Sequence, residues 1–518
     1  MSRFFIGVLL FLTTLFAGAQ LVEPVRLEIP SRIDVPLYNT IPLAQKGVLL
    51  FYESNELTDE GKRKWFFNLF DSVFNEQWLQ YVGVTDGLVL VNTQQLSNQT
   101  LFLFAVPENK KSRVSSYEIL KFEHASNSFQ LLGGTLPEKS GVAGFAAVSN
   151  KVLIGLNLPK YQTDLLLYDL DRLTVGSISH GITGQSVVQK LQSDTATSSL
   201  LTGIKRFESG RYVEDVFLVF DPNGKLINRF SFSMQSVYLH SYIMHLDTTG
   251  KLIVVGSYDD NATRRNAVRD ALEGDELNFE SKGLFYLSFS PNGMIQQKFH
   301  PFSAFSQIFK ALPTEKLMRA RQKQARGKET GAGMDISFQF YNPGLFSAGN
   351  NLVFAAEAFQ PQYRTETRMD YDFYGRLVPY TYTIFEGYNF FSALIASFDA
   401  QGNIRWSNDL KLDNILLPYL HNVTSVTADK DDVVAAYLTN GVLTSKVFDG
   451  NGTEKGQTEQ SRVETTYKSD RVTEDNFSEI SFWYDNYYII KGYQQITNNR
   501  LHTDNSRKVL YLQKMVFE

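Results

Sequence analysis

The chain has no cysteine among its 518 residues. Structural disulfides, thiolate metal sites and lipid attachment at an N-terminal cysteine are therefore excluded. Charge of one sign is also lacking: 50 lysines and arginines stand against 55 acidic residues, a formal net charge of −5. General nucleic-acid binding needs a basic footprint that this balance does not supply, and bulk charge gives no reason for wide adhesion to anionic lipid. Beyond the N-terminus no apolar run is long enough to span a membrane, and stretches such as Leu49–Tyr52 are short and bounded by polar residues. Catalytic signatures are missing too. Residues 83–87 read Gly-Val-Thr-Asp-Gly, with threonine where a G-x-S-x-G elbow needs serine, and there is no H-E-x-x-H and no phosphate-binding Gly-rich loop ending in Gly-Lys-Ser/Thr.

The N-terminus reads as a secretory signal. Arg3 supplies a positive start, Phe4–Phe16 is apolar except for Gly7, Thr13 and Thr14, and Ala17-Gly18-Ala19 offers small residues for cleavage before Gln20. The apolar run is shorter than the roughly 20 residues of a membrane-spanning helix. Residues 1–19 are therefore expected to be removed, leaving 20–518 as one domain with no transmembrane segment. An exported chain of this size without disulfides suits a bacterial envelope. The expected location is the periplasm, with association to the outer membrane, and the extracellular space as second choice.

What the chain has in quantity is aromatic residues, 14% of the total, with 40 Phe and 26 Tyr. These suit half-buried pleated surfaces. It also repeats a phrase in which an apolar strand enters a turn opened by Asp or Ser and closed by Gly. Residues 218–227, 287–295, 395–404 and 446–452 are the clear copies, with weaker ones at 167–172, 121–127 and 69–75. Asp or Ser opens such a turn by bonding the following backbone, and Gly takes the left-handed conformation that joins the strands. A second phrase, an apolar strand after a polar corner, occurs at 250–256, 350–356, 431–437 and 151–155. Its small residues are expected on an inner strand where neighbouring units approach closely. The seven turns recur every roughly 45 to 105 residues, as stacked repeat units do. An eighth strand pair lies at 487–492 and 509–512, and residues 25–29 are placed to complete it and close a ring.

This pattern resembles the β-propeller repeat proteins. The resemblance covers nearly all of the chain after residue 19, but it includes no Trp-Asp dipeptide of the WD40 kind and no kelch double glycine. It implies an all-β fold, a single closed β-propeller of seven or eight blades. Two stacked β-sandwich domains are the alternative.

Three segments depart from the repeat. Residues 259–282 space Ala262, Ala267, Val268, Ala271 and Leu272 as in a short helix. Residues 303–334 hold a second helix candidate after Pro313, capped by Thr314, with the basic residues Arg319, Arg321, Lys323 and Arg326. Residues 360–392 are an aromatic extension carrying Tyr371, Tyr374, Tyr380 and Tyr382. These eight side chains are the candidate partner-binding residues, because repeat insertions gather on one face and Tyr supplies contact area at low entropic cost. The bland readings are a solvated basic arm and a hairpin stacked on its neighbours.

No cofactor and no metal site is expected. His240 and His245 are five apart and would face opposite sides of an ideal strand. Asp370 with Asp372, and Asp429 with Asp431 and Asp432, carry calcium-type oxygens without EF-hand spacing. The function expected is a non-catalytic binding or scaffold protein of the bacterial cell envelope that docks a protein partner, an outer-membrane complex among the options. In texture (signal peptide, no cysteine, aromatic all-β body) the chain is similar to periplasmic accessories of outer-membrane secretion machinery, including the plug-type partner of the type 9 translocon. No diagnostic motif carries residue roles across. The competing expectation is a propeller hydrolase or lyase acting on polysaccharide or peptide, with an acidic, aromatic-lined pocket.

Overall fold

The computed structural model describes residues 25–106, 115–234, 236–260, 267–274, 280–305, 337–500 and 505–516. The expected leader, 1–19, lies outside the described residues. Among the described residues, thirty-two strands, β1 to β32 in chain order, form eight four-stranded antiparallel sheets. Seven are uninterrupted meanders of four consecutive strands, beginning with sheet 1 from β2 (Asn39–Pro42) to β5 (Glu76–Val84). The eighth joins the two ends of the chain. β30 (Arg471–Tyr484), β31 (Tyr487–Thr497) and β32 (Ser506–Val516) are completed by β1 (Arg26–Pro30), which pairs with β32 from Arg26↔Gln513 to Pro30↔Val509.

The apolar runs in the sequence become strands buried on both faces. In β7 (Gln99–Ala105), Phe102 and Phe104 pack with Phe51, Trp65 and Phe67 of sheet 1, whereas Leu101, Leu103 and Ala105 pack with Phe145, Val152 and Ile154 of sheet 3. Alternation along a strand sends successive side chains to opposite faces, so one run feeds two layers. The same division recurs in β19 (Leu252–Asp259), where Leu252 and Val254 face one neighbour and Ile253 and Val255 the other. The last layer brings sheet 8 against sheet 1, with Ile489, Tyr493, Leu510 and Leu512 on Val48, Leu50 and Phe70. Sheets stacked face to face in chain order, each a four-stranded meander, are the repeat architecture of a β-propeller. The two-sandwich alternative does not form, because sheets such as 2 and 5 are covered on both faces by different neighbours, whereas a sandwich sheet is covered on one.

The repeated turn joins the third strand to the fourth in sheets 1 to 7. Asp221 Oδ1 accepts the N–H groups of Asn223 and Lys225, both at 2.9 Å, and Gly224 has φ +79°. Asp399 and Asp449 act alike, with Gly402 and Gly452 in the glycine position. In sheet 1 that position is Phe74, at φ +62°, and its ring stacks on Trp483 at 5.8 Å. The second phrase falls on the second strand of its sheet, an inner position. β11 (Lys151–Leu158), β19 and β27 (Asp432–Thr439) each lie between two neighbours, which is why small residues sit there.

Leu512 is fully buried at the junction of sheets 8 and 1. Leu512→Ala should lower stability by about 2–5 kcal/mol in urea unfolding followed by fluorescence.

Candidate partner-binding face

In a meander the chain reverses at every strand, so connections alternate between the two ends of a sheet. The turns joining first to second and third to fourth strands share one face. The connections joining second to third strands, and each sheet to the next, share the opposite one. All three insertions therefore emerge on that second face. Residues 260–282 link the second and third strands of sheet 5, residues 302–338 link sheet 5 to sheet 6, and 372–376 link the second and third strands of sheet 6.

The first insertion contains the helix expected there, α1 (Ala267–Glu273). Ala267, Val268 and Ala271 pack on Val187 and Phe207, and Gln189 Nε2 donates to the Ala271 carbonyl at 3.0 Å. Near this helix, at the seam of sheets 4 and 5, Lys205 Nζ meets Asp215 Oδ1 at 2.9 Å and lies 4.1 Å from the Tyr238 ring centre. Burial pushes the Asp215 carboxyl up, against the pull of Lys205. Arg319, Arg321, Lys323 and Arg326 of the second insertion lie outside the described residues.

The third insertion is a two-stranded arm. β23 (Asn351–Tyr371) and β24 (Leu377–Phe398) run on beyond the rest of sheet 6. Bulges at Ala358/Phe359 and Gln362/Tyr363 mark the exit. Gly387 sits there at φ +147°, where a Cβ would come within 2.4 Å of the Leu417 carbonyl oxygen. From Tyr363↔Phe385 to Tyr371↔Leu377 the arm holds nine residue pairs, about 30 Å at ~3.4 Å per residue. Its tip reuses the repeated turn, with Asp372 Oδ1 accepting from Tyr374 and Arg376 and Gly375 at φ +74°.

Cross-strand partners share a face, so the register sorts the arm into two surfaces. One carries Arg364, Glu366, Arg368 and Asp370 with Tyr380, Tyr382, Val378 and Ile384. Its charges are largely paired internally: Arg368 with Glu366 at 2.9 Å, and the Tyr382 hydroxyl donating to Asp370 at 3.2 Å. The other surface carries Tyr363, Thr365, Thr367, Met369 and Tyr371 opposite Phe385, Thr383, Thr381, Pro379 and Leu377. All ten are exposed and none is charged. The candidate tyrosines are therefore divided. Tyr371 (69% exposed) lies on the uncharged surface, Tyr380 and Tyr382 on the charged one, and Tyr374 (78% exposed) at the tip beside Phe373 (97% exposed).

Two further carboxylates, one buried and one half-buried, stand at sheet boundaries. Glu357 Oε1 accepts from Val423 N, Thr424 N and Thr424 Oγ1 at 2.7–3.1 Å, tying sheet 6 to sheet 7. Among the described residues its Oε2 has no hydrogen-bond partner. Burial outweighs those bonds and raises its carboxyl to about 7. Glu479, on β30, is half-buried, and the charge of Lys491 at 2.8 Å and the contact with His421 at 2.9 Å overcome its desolvation and hold it at about 2. Sequence reasoning missed both, since neither belongs to a motif.

A cavity of about 680 Å³ opens between sheets 7 and 8, lined by residues 440–442, 462, 463, 465, 470–476 and Gln494. Asp475 is at its floor, accepting from Gln494 and Ser478. Burial raises its carboxyl. Asp470 is held by Arg507 at 2.5 Å. No aromatic side chain lines this cavity among the described residues.

The expected histidine geometry needs correction. A bulge between His240 and Ile243 resets the alternation, so the register pairs His240 with Ser257 and His245 with Ile253, on one side of β19. They remain four residue pairs apart, His240 against Ser257 and His245 against Asp194. Asp372 closes the arm tip, Asp370 meets Tyr382 and Asp432 pairs with Lys455 at 2.6 Å. Among the described residues no group of three or more His, Asp or Glu could hold a metal ion, and no helix is long and apolar enough to cross a membrane.

No family model matches the chain, and no curated protein matches it in sequence. Solved structures match in outline. Dihydro-heme d1 dehydrogenase NirN in complex with DHE is similar at 12% identity and a TM-score of 0.41, over 95% of this chain and 78% of that one. Saccharomyces cerevisiae Sqt1 is similar at 10% identity and 0.39, over 91% and 97%. The β-propeller domain of the Trilobed protease from Pyrococcus furiosus is similar at 10% identity and 0.35, over 79% and 95%. At these values the likenesses assign neither activity nor partner to this chain.

Glu357 yields a pH prediction. Its folded pKa lies above the unfolded one, so its protonation favours the folded state at low pH, and that contribution is lost as pH rises from about 4.5 to about 7. Glu357→Gln, neutral throughout, should match the wild type at pH 4.5 and exceed its stability by about 3 kcal/mol at pH 8. Urea unfolding at both pH values measures this. Glu479 titrates in the separate window from about 4.5 down to about 2, with the opposite sign, and cancels in the comparison.

Proposed function

We propose that this chain is an exported, non-catalytic binding protein: a single closed propeller of eight blades over residues 20–518 that docks a protein partner through the insertions on one face. Eight apolar layers between eight sheets support closure, since an open stack of eight would leave seven. The periplasm, at the outer membrane of a bacterial envelope, is the location proposed from the leader and the absence of cysteine.

The observation that carries the binding reading is the arm. One of its surfaces is built for water, with charges paired along it. The other presents ten exposed uncharged residues in register. Six of the ten are aromatic or apolar and four are threonines, an exposed uncharged strip of the kind that contact surfaces use. A hydrolase or lyase is the weaker reading. The cavity at sheets 7 and 8 holds three carboxylates, but Asp470 is committed to Arg507 and the aromatic platform expected for a glycan is missing. Arg319, Arg321, Lys323 and Arg326 are proposed as a second, electrostatic contact of the same partner.

The tagged protein, purified gently from its native envelope, should carry a stoichiometric protein partner. Met369→Glu with Tyr371→Glu should abolish that association, whereas Tyr380→Glu on the charged surface should leave most of it. Thermal midpoints should stay within a degree or two, because exposed substitutions shift stability by about 0.5 kcal/mol or less. Equal retention by both variants rejects the arm as the docking element.

A further inference from the structure

We infer that a small cavity at the seam of sheets 6 and 7 binds a primary ammonium group on a slim aliphatic stem, with Glu357 as its counter-ion. It is independent of the arm.

The cavity measures about 80 Å³. Asn342, Gly344 and Phe346 of β22 (Gln339–Ala348) form one wall, and Thr424 and Val426 of β26 (Thr424–Asp429) form another. Glu357 and two alanines of β23 lie between them. β22 is bulged at this point. Its register passes from Tyr341↔Glu357 to Gly344↔Ala355, so Asn342 and Pro343 together stand against Ala356. A bulge bends its strand away from regular pairing, and Asn342 takes φ +49° there. Asn342 is exposed, and Phe346, Thr424 and Val426 are half-buried, so solvent reaches the cavity. Tyr341 lies near the start of β22 and Thr424 starts β26, which sets the cavity toward the face where each sheet is joined to the next.

Glu357 is 2% exposed, and its two oxygens are used unequally. Oε1 takes three donors from Val423 and Thr424, whereas Oε2 has none among the described residues. A buried acceptor without a donor is costly, the more so when it is charged. Alone, the carboxyl meets that cost by holding its proton toward neutral pH. A cationic donor at Oε2 meets it instead and keeps the carboxylate ionised. His421, the neighbouring base, is turned to Glu479 at 2.9 Å.

The walls select the class of cation. A hard metal ion takes six or so oxygen ligands, and here one carboxylate stands among phenyl, valine, alanine and glycine surfaces. An ammonium needs only acceptors for its three N–H groups, and Glu357 Oε2 and the Asn342 carboxamide are two. The stem gains from the apolar walls. The volume is far below the roughly 300 Å³ at which drug-sized sites begin, so an unbranched chain fits and a ring system does not. A free amine and a lysine side chain share this chemistry.

The test is calorimetric titration of the full chain after residue 19 at pH 8. The probes are n-butylammonium and Nα-acetyl-lysine methylamide, both protonated at that pH. At least one should bind saturably, one molecule per chain. n-Butanol, which lacks the charge, and n-butyltrimethylammonium, which lacks the N–H groups, should bind at least about tenfold more weakly. Glu357→Gln, expected to be more stable than the wild type at this pH, should weaken the amine at least about tenfold. Met369→Glu with Tyr371→Glu should leave the affinity unaltered, so the site stands or falls apart from the arm. Binding of the lysine derivative supports a protein lysine as the occupant, and binding of n-butylammonium alone supports a free amine. No binding of either, equal binding of the trimethyl analogue or of the alcohol, or indifference to Glu357→Gln overturns the proposal. The two analogues decide it even if the variant fails to fold.

Discussion

The structure depends on the joining of its two ends in one sheet. β1 supplies the fourth strand of sheet 8, and sheet 8 then covers the face of sheet 1. Without that contact Val48, Leu50 and Phe70 on one side, and Ile489, Leu510 and Leu512 on the other, would face water. Hydrogen bonding and apolar burial act together here: the ladder from Arg26 to Pro30 satisfies the edge of β32, and the layer beside it removes the last apolar face. Ion pairs lock the seam. Arg507 reaches both Glu28 of β1 and Asp470 ahead of β30.

Stacking of this kind leaves two unequal faces. Repeated Asp-to-Gly turns occupy the lower end of the sheets and are closed by their own hydrogen bonds. Connections at the upper end are unconstrained in length, because the strands they join are already held by their neighbours. Loop length costs little once the ends are fixed. Growth of the chain by insertion is thus tolerated on one face, and the arm and α1 share it. The arm adds a rigid, paired element to that face, which lowers the ordering entropy that a contact must overcome.

Buried charge is spent at the seams. Lys205 with Asp215 lies between sheets 4 and 5, Glu357 between 6 and 7, and Glu479 with Lys491 between 7 and 8 and near the entry to sheet 1. Each ties one sheet to the next in a layer that dispersion alone would leave free to slide. The cost of burial is met differently. Glu479 keeps its charge because Lys491 opposes it, whereas Glu357 has only neutral donors and holds its proton toward neutral pH.

Much of this architecture was legible in local pattern. Turn chemistry acts within five residues, so Asp221-Pro222-Asn223-Gly224 announces its hairpin, and seven such turns announce the repeat. The alternation in Val25–Ile29 and the apolar run Val509–Leu512 pointed to a strand pair joining the ends, and the clustering of Tyr371, Tyr374, Tyr380 and Tyr382 marked the arm. What remained hidden depends on register and on distance. Which tyrosines share a surface is decided by the bulge at Gln362/Tyr363, because one extra residue moves every later side chain to the other face. The same effect at Ser241 and Tyr242 reset the two histidines. Glu357 meets Thr424 across 67 positions of sequence, and Arg26 meets Gln494 across 468. Strand identity and turn position were thus set by the sequence alone, through sterics and bonds among near neighbours. The seams, the uncharged surface and the cavity beside Glu357 were decided by the tertiary structure, because they exist only where residues far apart in the chain are packed together.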